Sequence, residues 1–278
     1  FGKFNEYSLA KYDRDGAVRL RDVMFLTHPK PRNEEQAALY KRVANKELKT
    51  PDTWEVELSA GKDKKETFER LIKEEKLGYL ALLRNLRNMV DSGCDINLVS
   101  DAIKARKGAE LVFPFRYVAA ARAAPRFERQ LDEALLASIK DTKPLTGTTL
   151  VFVDCSGSMR RVPVSARSDI GRVTAGATLA SILNCEDMRL FTFANKNMEL
   201  PARKGMAGIE KIVNSQNGGT DLAGAIAFAN TLKHDRLIVI TDEQDTTGKR
   251  IPDPVATHSY MVNVASYRNG VGYGRCVR

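Results

Sequence analysis

Two hydrophobic rhythms divide this chain. As far as about residue 140, apolar residues recur at helical spacing with polar residues between them. Tyr79, Leu82, Leu83, Leu86 and Val90 stand at i, i+3, i+4, i+7 and i+11, and Phe127, Leu131, Ala134, Leu135 and Ile139 form a second stripe. A stripe of this period gives an α-helix one apolar face, so the pattern predicts a succession of amphipathic helices. The punctuation is helical too: Pro29 and Pro31 break the chain after one segment, Thr50-Pro51-Asp52 is a helix-start signal, and Ser92-Gly93 follows the end of another segment. Short helices in succession predict a stacked array, although no repeat of fixed period is visible.

After Asp141-Thr142-Lys143-Pro144-Leu145-Thr146-Gly147 the rhythm changes, and a domain boundary is placed there, with residues 1–145 helical and 146–278 of mixed α/β character. Thr149 to Val153, Arg189 to Phe193, Leu237 to Thr241 and Tyr260 to Val264 read as strands. The first and third are nearly continuous in apolar character, as in strands buried on both faces. Between them lie a small-residue helix carrying Ile170, Val173, Ala177, Ala180 and Leu183, and another carrying Leu222, Ala225, Ile226 and Ala229. Strands alternating with helices predict an open, doubly wound parallel sheet.

Composition narrows the function classes. At 278 residues, with 43% hydrophobic and 28% charged, the chain has the make-up of two globular domains. No apolar run approaches the roughly 20 residues of a membrane helix, so no membrane partner is expected. Cys94, Cys155, Cys185 and Cys276 are scattered without a C-x-x-C pair, and there is no N-x-S/T sequon, a pattern expected of free thiols in the cytoplasm. Phe1-Gly2-Lys3 reads as the interior of a longer protein. The net charge of +9 is shared by both halves, but it concentrates locally. Between Asp101 and Gln130, Lys104, Arg106, Lys107, Arg116, Arg122, Arg126 and Arg129 face only Asp101, Glu110 and Glu128. That excess either attracts phosphates or is a solvated helical face.

Candidate chemistry gathers at predicted strand ends. Asp154-Cys155-Ser156-Gly157-Ser158 follows the first strand, where doubly wound folds hold ligands. Residues two apart in a turning segment project to one side, so a carboxylate and two hydroxyls converge. Thr220 follows Gly218-Gly219 at a helix start, and Asp242 ends the strand Leu237 to Thr241. Oxygen donors of this kind suit Mg²⁺, which takes one or two carboxylates and keeps several waters. Each residue alone also has an ordinary explanation, Thr220 as a helix N-cap and the others as turn or strand-end residues.

With these residues in order, the second half resembles a von Willebrand factor A domain with a metal-ion-dependent adhesion site. The resemblance implies that Asp154, Ser156, Ser158, Thr220 and Asp242 hold a divalent cation, Mg²⁺ or another, directly or through water. It also implies that an acidic group of a partner fills the remaining coordination position. In the first half, Leu26-Thr27-His28-Pro29-Lys30-Pro31, the segment Ala81 to Met89 and Phe113-Pro114-Phe115-Arg116 resemble the TROVE module of Ro ribonucleoproteins. That family implies HEAT-like helical repeats followed by the A domain, binding of small noncoding Y RNA and of the single-stranded ends of misfolded RNA, and an exoribonuclease among the protein partners. His28 and Lys30 are the positions that match its RNA-facing motif, with a helix-end brace as the alternative for His28. Arg84 and Arg87 read as the polar face of their helix. The family's ring is longer than residues 1–145, and glycine-rich Tyr267 to Arg278 replaces a closing helix, so both ends are expected to be incomplete.

Enzyme readings fare poorly. There is no G-x-x-x-x-G-K-[ST] loop, and Asp154 and Ser158 flank Ser156 where a hydrolase elbow needs glycines. His234 or His258 as a base for Ser156 lacks sequence support, and Gly270 to Gly274 leaves only four residues for a dinucleotide-binding helix. Two readings stand: a noncatalytic RNA-binding ribonucleoprotein component, or a module that grasps an acidic protein partner through its cation.

Overall fold

A computed structural model describes residues 1–13, 16–165 and 170–265; Cys276 and the glycine-rich segment from Tyr267 lie outside the described residues. The chain divides into two compact units, one of residues 1–81 and 87–99, the other of residues 82–86 and 100–278. Among the described residues no helix is long and apolar enough to cross a membrane.

The helices in order are α1 (Glu6–Tyr12), α2 (Leu20–Thr27), α3 (Glu34–Asn45), α4 (Trp54–Ser59), α5 (Lys64–Lys73), α6 (Tyr79–Asp91), α7 (Ile96–Ala105), α8 (Pro114–Ala123) and α9 (Glu128–Ile139). Several start on a side-chain cap: Asn5 accepts from Ser8 N, Asn33 from Gln36 N, Thr53 from Val56 N and Asp63 from Glu66 N. Each such cap satisfies a backbone N–H that the helix itself leaves open. Leu9, Met24, Leu39, Tyr40 and Val43 form a core among α1, α2 and α3. Farther along the same unit, Asp52 takes a two-pronged bond from Arg70 at 2.8 and 3.0 Å and another from Lys76 at 2.8 Å, which holds its carboxyl far below the usual range. The stripe on α6 is buried at Tyr79, Leu82, Leu83 and Leu86, while Arg84 and Arg87 are exposed, so these two form the polar face.

The sheet has the order β3-β2-β1-β4-β5, from β1 (Leu145–Asp154), β2 (Cys185–Phe193), β3 (Asn197–Leu200), β4 (Arg236–Thr241) and β5 (His258–Asn263). β1 pairs in parallel with β2 and β4, and β4 with β5, but β3 runs antiparallel to β2. The expectation of a purely parallel sheet is therefore corrected: a short hairpin closes one edge and makes the sheet mixed. The helices of this part are α10 (Gly157–Arg161), α11 (Arg172–Ile182), α12 (Gly205–Val213) and α13 (Leu222–Ala229).

Helices cover both faces of the sheet. On one, Leu150, Phe152, Phe191, Phe193, Leu237 and Val239 pack with Leu222, Ala225, Ile226 and Ala229 of α13. Phe152 and Phe191 stack across neighbouring strands with ring centroids 4.8 Å apart. On the other, Gly176 of α11 lies so close that a Cβ there would come within 3.2 Å of Ile240 and 3.4 Å of Val153. The small-residue run thus brings α11 tight against β1 and β4.

α8 and α9 belong to the same unit as the sheet. Arg122 of α8 donates to Thr174 Oγ1 of α11 at 2.8 Å, and Asp132 of α9 accepts from Met206 N of α12 at 2.7 Å. Gly205, at φ 71°, is required there, since a Cβ would strike the Asp132 carboxylate. Replacing Phe152 with alanine is expected to cost about 3–5 kcal/mol, because the stacked core cannot close over the lost ring. Urea unfolding checks this, and a change below about 1 kcal/mol would contradict the packing described.

Candidate functional site

The site forms where buried strands end. β1 is apolar toward both helical layers, so its last residue, Asp154, emerges into a place with no water to solvate it; its exposure is 0%. Its oxygens are held instead by neutral donors. Oδ1 accepts from Ser156 N at 2.8 Å and Oδ2 from Thr241 Oγ1 at 2.7 Å. Burial nevertheless dominates and pushes the carboxyl up to about 6, with neighbouring Asp242 adding to the rise. Ser156 Oγ lies 3.2 Å from Ser158 Oγ, so the carboxylate and both hydroxyls of the motif share one turn.

The second loop is tied to the first. Gly157 N donates to Gly218 O at 2.9 Å, which draws the Gly218-Gly219-Thr220 turn against the motif. Gly219 N is held by Asn195 Oδ1, while Thr220 N donates to Thr246 Oγ1 and Thr220 O accepts from Thr246 N. The helix cap falls to Asp221, which accepts from Gly224 N, so buried Thr220 is not the N-cap of α13.

The third loop follows β4. Thr241 Oγ1 gives its hydrogen to Asp154 and accepts from Glu243 N at 3.0 Å, which joins the ends of β1 and β4. Asp242 Oδ2 is in a buried ion pair with Arg172 Nη1 at 3.0 Å, and Oδ1 accepts from Gln244 N at 3.3 Å. Glu243, buried, takes the left-handed conformation at φ 59° and accepts from Asn263 Nδ2 of β5. Sequence reasoning missed Thr241, Arg172 and Glu243. Thr241 stands beside Asp242, where its sequence signal is only that of a strand residue, and no sequence signal links Arg172 to a partner seventy positions away.

All donors in this set are oxygens, and among the described residues no group of three or more His, Cys, Asp or Glu side chains is arranged to hold a metal. Two carboxylates with hydroxyls fit a hard cation that keeps part of its water, and they do not fit a zinc site. Cys155 is no ligand: its buried thiol, pushed up to about 11, lies against Ile212 O and Ser215 Oγ. Neither His234 nor His258 stands beside Ser156 as a base. β4 and β5 run parallel to β1, so His234, just before β4, and His258, first in β5, sit at the opposite end of the sheet.

The residues matched to RNA lie in the other unit. His28 caps α2 in the left-handed region at φ 42°, with its N–H bonded to Met24 O, and both His28 and Lys30 are exposed. Of the basic segment, Lys104, Lys107, Arg116 and Arg126 are exposed, whereas Arg122 serves Thr174 and Arg129 pairs with Glu133 at 3.1 Å.

Residues 41–169 match the TROVE domain family. Telomerase protein component 1 of Rattus norvegicus and of Mus musculus are each 36% identical to this chain over 89 residues, covering 30% of it. The chain spans about 3% of the length of these curated relatives. Among solved structures, the Ro (RSR) protein of Deinococcus radiodurans superposes with a TM-score of 0.61 at 21% identity, over 89% of this chain and 63% of that one. The fold is thus similar to that of this Ro protein, and the TROVE match takes in the segments Ala81 to Met89 and Phe113 to Arg116 but not Leu26 to Pro31.

Asp154 yields a test. Its carboxyl titrates near 6 in the folded chain and near 3.8 when unfolded, so the folded state binds the extra proton between those values. Stability without metal should rise as pH falls from 7 toward 4.5 by this group's contribution, and Asp154→Asn should remove that part. Urea midpoints measured with a chelator present check it; equal pH slopes in the two proteins would contradict the burial.

Proposed function

We propose that this chain, whose residues 41–169 match the TROVE domain family, is a noncatalytic RNA-binding component of a ribonucleoprotein of the Ro type. Its helical part, read as HEAT-like repeats, binds small noncoding RNA of the Y class and single-stranded ends of misfolded RNA, with His28 and Lys30 among the contacts. The sheet part is read as a von Willebrand factor A-like domain whose Asp154, Ser156, Ser158, Thr220 and Asp242 hold Mg²⁺ or another divalent cation. The protein works in the cytoplasm in this reading.

The observation that carries the RNA reading is the family match itself, which spans the exposed cations of α7 to α9 and their connections. Exposed lysines and arginines gain affinity for RNA by releasing its counterions, without any reaction at the bound strand. The strand-end oxygens support the cation reading: Ser156 N donates to Asp154, the Ser156 and Ser158 hydroxyls lie 3.2 Å apart, and the glycine turn that precedes Thr220 is bonded to Gly157 between them. A bound Mg²⁺ supplies a Lewis-acid position for an anionic group of a partner. The protein residues keep the carboxylates and hydroxyls oriented and shielded from water. This arrangement also favours a second role, the capture of an acidic side chain on a protein partner such as an exoribonuclease.

Titration of a fluorescent single-stranded RNA oligonucleotide tests the first role. Affinity should fall linearly on a log–log plot against salt, and His28→Ala with Lys30→Ala should weaken it several-fold. Salt-independent binding, or none, contradicts the RNA reading. For the cation, Mg²⁺ should raise the melting temperature of the wild-type protein and not of Asp154→Asn, while RNA affinity is the same in both; an equal thermal response contradicts the assignment.

A further inference from the structure

We infer that Arg172 is a built-in counter-cation for the strand-end site, and that a divalent ion binds there by displacing its guanidinium from Asp242. This deepens the cation reading above and rests on it.

Arg172 occupies a position that ordinary helix chemistry disfavours. It is the first residue of α11, where the helix dipole is positive and a cation is unfavourable. It is also the one charged residue in a helix of small and apolar side chains, and only 4% of it is exposed. Burying a guanidinium requires a partner, and the structure supplies one: Nη1 lies 3.0 Å from Asp242 Oδ2, with side-chain exposures of 5% and 0%. The backbone of Arg172 is fixed as well, its N–H donating to Val162 O at 3.2 Å.

A buried ion pair is weak evidence for stability, because hydrophobic replacements often do as well. Its place is what matters here. Asp242 is one of two carboxylates in the candidate donor set, and the other, Asp154, is held by the neutral donors Ser156 N and Thr241 Oγ1. The guanidinium therefore sits on the carboxylate whose charge a divalent ion needs. Two cations sharing Asp242 in a low-dielectric pocket repel strongly, so binding becomes an exchange in which the arriving ion takes over the charge balance as the guanidinium leaves. Arg172 lowers the affinity of the site and keeps its loops together when no ion is bound. Arginine suits this task, since it stays charged at any physiological pH and lysine does not when buried.

Titration calorimetry with Mn²⁺ tests the exchange. Arg172→Gln should bind Mn²⁺ at least about ten-fold more tightly than wild type, with Arg172→Lys between them, because removing the competing charge leaves Asp242 waiting for a cation. In the wild-type protein, Mg²⁺ should shift the side-chain Nε resonance of Arg172, a readout that needs no variant to fold. Equal or weaker Mn²⁺ affinity in Arg172→Gln, or an unmoved resonance at saturating Mg²⁺, overturns the inference while wild-type binding leaves the cation reading standing. Absence of binding in both proteins overturns the two together.

Discussion

A carboxylate at the end of a strand buried on both faces has no solvent to face, and its charge must be compensated from within the fold. Asp154 meets this constraint with an N–H from its own turn and a hydroxyl from β4, and Asp242 meets it with Arg172. Those bonds tie the ends of β1 and β4 together and bring α11 to the same place. Burial still raises the Asp154 carboxyl to about 6, because neutral donors replace water or a cation only in part. The same packing that stabilises the sheet thus creates a local demand for positive charge, and the Ser156 and Ser158 hydroxyls lie on the turn that follows Asp154.

The helical part poses a different problem. Its charge is spread over exposed loops and helix faces, where water screens it and no single residue dominates. Such a surface binds a polyanion through many weak contacts, which is the physical basis of the RNA reading. The two proposed activities draw on separate chemistry, exposed cations on helices and buried oxygens at strand ends.

Much of this arrangement was legible from sequence because burial leaves a periodic trace. β1 and β4 read as continuous apolar runs, and both lie buried at the sheet centre; the α6 stripe predicted its buried face. β3 was invisible, since Asn197–Leu200 is four residues long with a single buried side chain. α12 was hidden by Gly205 and Gly208 in a short segment, where intrinsic propensity argues against a helix and tertiary packing overrides it. The candidate donors were found by their positions at strand ends. Their tethers were not, because Thr241 to Asp154 and Arg172 to Asp242 are contacts between residues far apart in the chain, set by strand register and helix placement.

The central claim is that one oxygen-lined pocket at the ends of β1 and β4 takes up a divalent ion. Anomalous diffraction from crystals of the protein grown with Mn²⁺ tests it most directly. The account predicts a single strong peak bonded to Ser156 and Ser158 and linked to Asp154, Thr220 and Asp242, directly or through water. A pocket without a peak at saturating Mn²⁺, or an ion bound elsewhere with Arg172 still seated on Asp242, would contradict it.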